Sequence, residues 1–144
     1  MALGKQLFEG TWHSYHFTWM RGRRILRYDR LEVKRNIFNK LVVKMSDPKN
    51  PDLKYKGTMS KERNYILLLL RGIRHEEQVQ MRFFDIIPTG QDMAFGIVTG
   101  VDFDNEPQSF VKVMSRRELS DAEATELLLS KTRLKGGVTL SISR

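Results

Sequence analysis

Hydrophobic and polar residues alternate in short runs along most of this chain, and turn-forming clusters separate the runs. A period of two marks half-buried strands, whose successive side chains point to opposite faces. The runs fall at roughly 10–19, 25–35, 37–46, 53–59, 64–71, 76–86, 92–101 and 109–115. Turn residues punctuate them at Arg21-Gly22-Arg23, Asn36, Ser46 to Pro51, Ser60 to Asn64, Gly72, Pro88 to Gln91 and Asp104 to Pro107. Many short strands at regular spacing predict a sandwich or barrel. Eight strands are also the number that closes a small barrel around a filled or single-ligand interior. Gly96 and Gly100 share one side of their run, where they would allow sharp coiling or close approach of a neighbour.

The period lengthens near the C-terminus. Ser120-Asp121-Ala122-Glu123 matches a capping box, with Ser120 at the N-cap and Glu123 at N3. Ala124, Leu127, Leu128 and Leu134 recur at helical spacing, and Gly136-Gly137 stops the pattern. One helix is predicted over about 120–134, lying on a barrel end or wall. A tail over 135–144 follows, with strand-like alternation from Val138 to Ile142. No linker or repeat divides the chain. The expected fold is therefore mainly β: a single domain over 1–144, with an eight-stranded antiparallel β-barrel over about 7–117 and one C-terminal α-helix.

Composition narrows the classes. Hydrophobic residues make up 40% and charged residues 29%, which fits a globular chain. The absence of cysteine removes disulfides, thiolate nucleophiles and Cys-ligated zinc. The longest apolar run, Ile66 to Leu70, is too short to span a bilayer, and Met1 to Lys5 carries no apolar signal core. The expectation is a cytoplasmic protein without a membrane span. Net charge is +8 and unevenly spread. Residues 1–72 hold 16 Lys and Arg against 6 Asp and Glu, while residues 73–144 hold 9 against 11. The basic half centres on Arg21, Arg23, Arg24, Arg27 and Arg30, which makes a patch that binds an anionic partner or a solvated hairpin tip equally reasonable.

Several familiar chemistries fail on spacing. His13 and His16 are three apart, so on a strand they point to opposite faces and do not share a metal. Asp102 to Glu106 opens like a calcium loop, but Pro107 stands where glycine is needed and Val113 where glutamate is needed. There is no Walker loop, dinucleotide fingerprint, serine elbow or HExxH motif. Neither an enzyme nor a cofactor is expected.

The run Gly10-Thr11-Trp12-His13-Ser14-Tyr15-His16-Phe17-Thr18-Trp19 is the richest in candidate chemistry. A strand that only filled a core would carry Val, Ile and Leu. Flat side chains with polar handles suit a cavity that stacks on a planar ligand and holds its edge. Trp12, Ser14, His16 and Thr18 share one face; His13, Tyr15, Phe17 and Trp19 share the other. Aromatic packing favours the Tyr15 face as the inward one, with Trp12 closing the barrel base. Arg82 and Lys112 are isolated cations within strand-like runs beside Phe84, Phe110 and Met114, which suits a phosphate or carboxylate as well as it suits outward display. Tyr65 to Arg71 is apolar on both faces, so its outer face is expected beneath the helix or in a homo-oligomer contact.

The pattern Leu7-x-x-Gly10-x-Trp12-x-x-Tyr15 resembles the first strand of calycin-type (lipocalin-like) barrels. The order that follows, Tyr55-Lys56-Gly57, Tyr65 to Leu69, Gly96 to Gly100 and Phe110 to Met114, resembles the cyclic-oligonucleotide-sensing barrel of CBASS antiphage effectors. The resemblance covers about residues 7–117. It departs from those effectors in showing no membrane helices ahead of the barrel, which would imply a soluble sensor, a cropped domain or a sequestering protein. It implies a small anionic ligand, such as a cyclic oligonucleotide, stacking on Tyr15 or Trp12 with phosphates near Arg82 or Lys112. The ligand set expected is thus Trp12, Tyr15, His16, Arg82 and Lys112. Single-stranded nucleic acid bound along Arg21 to Arg30 is the alternative partner, and a structural or dimerisation module is the third class.

Overall fold

The computed structural model describes residues 8–74, 77–84, 92–101 and 107–132. Eight strands form in chain order: β1 (Gly10–Met20), β2 (Arg23–Arg35), β3 (Leu41–Asp47), β4 (Asn50–Lys61), β5 (Tyr65–Gly72), β6 (Gln78–Phe84), β7 (Met93–Val101) and β8 (Pro107–Ser115). Each pairs antiparallel with the next, and β8 returns to β1 to close a barrel. The closing seam sets His13 opposite Ser115 and His16 opposite Lys112. Closure leaves no free sheet edge among these strands. The expected barrel is the fold observed.

Local chemistry sets the turns. Arg21 (φ 53°) and Gly22 (φ 75°) both take left-handed backbone, the requirement of a two-residue hairpin whose twist matches its strands. Residues 37–40 are a turn rather than the start of β3. Asn36 accepts hydrogen bonds from the Phe38 and Lys40 amides through its side chain, and Asn39 supplies a left-handed residue. The turn expected within Ser46 to Pro51 is a tight hairpin, in which Asp47 pairs with Asn50 and accepts a hydrogen bond from the Lys49 amide.

The lumen is filled over its lower half. Trp12, Leu31, Val43, Ile66, Leu68, Met81 and Phe83 are buried inside, and Phe8 plugs the end by accepting the Trp12 indole N–H at 2.9 Å. The Arg116 guanidinium lies over the same indole, 4.0 Å from its centroid, and bonds the Glu9 carbonyl. Trp12 does close the barrel base.

Helix α1 (Asp121–Thr132) forms where the capping box predicted. Ser120 Oγ accepts the Glu123 amide at 3.1 Å, and Glu123 Oε1 accepts the Ser120 amide at 3.3 Å. Its apolar face, with Ala124 and Leu128, packs on the outer wall formed by β1 and β8 around Tyr15 and Val113. It does not cover β5. Ile66, Leu68 and Leu70 point into the lumen, while Leu69 on the outer face is 49% exposed, so the helix is not what meets that face. The predicted stretches at 85–91, 102–106 and 133–144, including Leu134, Gly136, Gly137 and the 138–142 alternation, lie outside the described residues, as does His75.

Two glycines fix how tightly the wall coils. A Cβ on Gly57 would lie 1.8 Å from the Leu69 carbonyl oxygen, and one on Gly96 would lie 2.2 Å from that of Arg82. Both obstacles are backbone, which no rotamer change relieves. Gly57→Ala is therefore expected to destabilise the barrel by about 1–3 kcal/mol or more. A thermal melt unchanged by this substitution would show that the strands do not approach so closely.

Candidate functional site

Strand β1 turns Trp12, Ser14, His16 and Thr18 inward, the reverse of the expectation that placed Tyr15 inside. Tyr15 lies on the outer wall beneath α1. Its hydroxyl accepts the Leu119 amide at 2.8 Å and reaches the Leu119 carbonyl at 3.3 Å, tying the chain just before the helix to the strand. Burial, above all, raises its pKa. Alternation alone could not have chosen correctly, because α1 buries Tyr15 on the outer face as fully as the barrel buries Trp12 on the inner one, while His13 and Phe17 are half-buried and Trp19 is exposed. Arg82 also points outward, across the Tyr65 ring at 5.6 Å, and is exposed. Neither Tyr15 nor Arg82 reaches the lumen. Of the other expected residues, Trp12 sits in the sealed base, and only His16 and Lys112 come together.

Those two frame a half-enclosed cavity of about 220 Å³ in the upper lumen. It opens toward the end that carries the β1–β2 and β3–β4 turns. Met45, Leu53, Val79, Met81, Val98 and Phe110 supply apolar wall, and His16, Thr18, Arg27, Asp29, Asp47, Tyr55, Glu77 and Lys112 supply polar groups. Lys112 is 1% exposed, and its Nζ lies 2.8 Å from Asp29 Oδ2. Burying either ion alone would be strongly unfavourable, so each requires the other. Tyr55 donates its hydroxyl to Glu77 Oε2 at 2.7 Å. Burial and then this bond raise the Tyr55 pKa, which keeps the phenol protonated.

His16 is the unusual member. Its ring stacks on Phe110 at a centroid distance of 4.4 Å and an interplanar angle of 23°. Nδ1 has no hydrogen-bond partner among the described residues, although Asp29 Oδ2 stands 3.8 Å away. Burial, reinforced by Lys112 and Arg27, pushes its pKa down to about 2, so the ring is neutral at pH 7. A buried polar atom left without a partner is rare in folded chains and costs stability. Among the described residues, no three His, Asp or Glu side chains converge as metal ligands.

Asp29, Tyr55, Glu77 and Phe110 were not anticipated as site residues, and Arg27 was placed on a surface patch. A signal for Asp29 existed: it shares its strand face with Leu31 and Val33, so an acid there had to be paired inside. The basic hairpin sits at the cavity's open end. Arg27 lines the cavity wall, Arg23 shares its face further up the strand, and Arg24 turns outward over the Phe17 ring at 4.5 Å. Arg30 pairs with Glu32 on the outer wall at 2.9 Å. Strand register reveals a second basic feature, because exposed Lys44, Lys56 and Arg71 stand directly opposite one another across β3, β4 and β5.

No family model and no curated protein sequence matches this chain. Two crystal structures of LTBP1, one a point mutant in complex with leukotriene C4 and one the LTBP1 complex with that ligand, share its fold at a TM-score of 0.51 and 12% identity. They match 88% and 89% of this chain and 79% and 80% of their own. At that identity the likeness is one of architecture. The shared feature is the closed antiparallel barrel itself. None of its described helices is long and apolar enough to cross a membrane.

Two outcomes follow from this geometry. Tyr15→Phe removes the link to Leu119 and is expected to cost about 1–3 kcal/mol, read by chemical denaturation, without altering the cavity. His16 gives stability a pH slope. Its folded pKa lies below the unfolded value near 6.5, so the unfolded chain binds the extra proton and stability falls as pH drops from about 6.5 toward 2. Denaturation midpoints at pH 7 and pH 5 should differ less in His16→Phe than in the parent; an equal difference would remove His16 as the cause.

Proposed function

We propose that this protein is a soluble, cytoplasmic, non-enzymatic ligand-binding barrel that senses or sequesters a small planar molecule carrying an anionic group. The observation that supports it best is the cavity of about 220 Å³ with buried, partly unsatisfied polar groups above a sealed apolar base. A barrel needing only stability would fill that space with hydrocarbon, as it does lower down.

Size and charge narrow the ligand. Sites for drug-sized ligands run to about 300–1,000 Å³, so this one takes a single ring system and leaves the rest of the molecule at the mouth. A long apolar chain such as that of leukotriene C4, the ligand of the LTBP1 structures, meets a lower lumen already occupied by Trp12, Leu31, Leu68 and Phe83. A ring can lie against Phe110 and Met45. The Lys112 charge is already engaged by Asp29, so Arg27 and Arg23 are the cations left for an anionic substituent. A nucleotide has this shape, and a cyclic mono- or oligonucleotide messenger of the kind read in antiphage signalling is the class we favour, with a base inside and phosphate outside.

Calorimetry at low salt with a panel of cyclic mono- and oligonucleotides tests the reading. Micromolar binding, weakened about tenfold by Arg27→Ala as expected for a charge-assisted bond, supports it. The absence of heat with every member ends it. Trp19, 72% exposed beside Arg24 on the hairpin, favours single-stranded nucleic acid as the second reading. That mode predicts affinity that falls steeply with salt and is lost in Arg24→Glu, whose outward side chain leaves cavity binding in place.

A further inference from the structure

The floor of the cavity is arranged around one gap. His16 Nδ1 and Asp29 Oδ2 face each other across 3.8 Å, too far for a direct hydrogen bond. Lys112 Nζ donates to the same carboxylate oxygen at 2.8 Å, so Oδ2 already serves as an acceptor. One atom at ordinary hydrogen-bond length, about 2.8–3.0 Å, from both groups can bridge two points 3.8 Å apart.

The chemistry of that atom is constrained. Whatever touches Asp29 Oδ2 must donate a hydrogen, because a carbonyl oxygen there would meet a carboxylate with no proton between them. A nitrogen with two hydrogens satisfies both groups at once in the imidazole tautomer protonated at Nε2, donating to Oδ2 and to the Nδ1 lone pair. The Phe110 ring, stacked on His16, adds a flat wall next to this point. The groups that face His16 around the cavity are Arg27 and Asp29 from β2, Asp47 from β3, Tyr55 from β4, Glu77 ahead of β6 and Lys112 from β8. Three of the six are carboxylates, which makes the interior rich in acceptors, while the hairpin beyond Arg27 carries the cations.

We propose that the cavity selects planar rings bearing an exocyclic amine, the amine bridging His16 Nδ1 and Asp29 Oδ2 and the anionic end lying toward Arg27 and Arg23. This rests on the ligand-binding reading above and specifies the ligand's orientation and the group it recognises. With the imidazole proton on Nε2, a ring with a carbonyl in place of the amine leaves two buried acceptors facing a third.

Cyclic AMP and cyclic IMP, which differ by amine against carbonyl at C6 and by the proton the lactam carries on N1, are titrated calorimetrically at low salt into the full chain and into His16→Phe. The variant keeps an aromatic ring against Phe110 and removes the nitrogen, and circular dichroism confirms that it folds. The expected result is a preference of about ten- to a hundredfold for cyclic AMP in the parent, shrinking at least several-fold in His16→Phe. Equal binding of the two nucleotides by the parent, or an undiminished preference in the variant, overturns the amine bridge while leaving the ligand-binding reading intact. If neither nucleotide binds the parent while other cyclic oligonucleotides do, the inference is overturned unless those ligands show the same amine preference. No binding to any of them overturns both.

Discussion

The seam between β1 and β8 is the contact on which the rest depends. Every other strand pairs with its neighbour in sequence, which local hairpins can achieve alone. The seam joins residues about a hundred positions apart, and without it the sheet would have two open edges and no lumen. It is short, running from His13–Ser115 to His16–Lys112. The structure reinforces it from both sides. Outside, α1 lies across β1 and β8 and is tethered by Tyr15 to Leu119. Inside, Lys112 crosses to Asp29 on β2, so an ion pair spans the two strands adjoining β1. The closure that makes a barrel is thus also what brings His16, Lys112 and Asp29 into one site.

That arrangement gives the two halves of the lumen different physical characters. Below, Trp12, Phe83 and the aliphatic residues form one buried apolar cluster, and burial of apolar surface is the dominant favourable contribution to folding. Above, an ion pair, a phenol–carboxylate bond and an unpartnered imidazole nitrogen occupy space that hydrocarbon could have filled. Buried ionic groups are weak contributors to stability compared with well-packed apolar residues. Their retention beside a cavity is what shifts the balance from a purely structural barrel toward one that binds.

The fold was largely legible in the sequence because strand alternation, turn residues and the capping box all report local geometry. The turn signal at Asn36 was legible, but residues 37–40 read as strand because Ile37 and Phe38 look like strand residues, yet they are 93% and 74% exposed and the Asn36 side chain decides the conformation. The site was less legible. A period of two separates the faces of β1 without saying which is inside, and here α1 buries Tyr15 on the outer face while the lumen buries Trp12, Ser14 and His16 on the inner one. Lys112 drew notice as a cation among apolar neighbours. Asp29, its partner, lies 83 positions away, and only barrel closure reveals the pair. Arg27 was visible as part of a basic run, but its inward direction depends on register with His16.

Methionines placed along the lumen allow the central claim to be tested without choosing a substitution. Met45 and Met81 line the cavity, whereas Met59 and Met114 are buried without lining it. With methyl-labelled methionine, saturating cyclic AMP should shift the Met45 and Met81 methyl resonances and leave those of Met59 and Met114 in place. Binding accompanied by no shift at Met45 or Met81 would put the ligand on the outer surface and contradict the account.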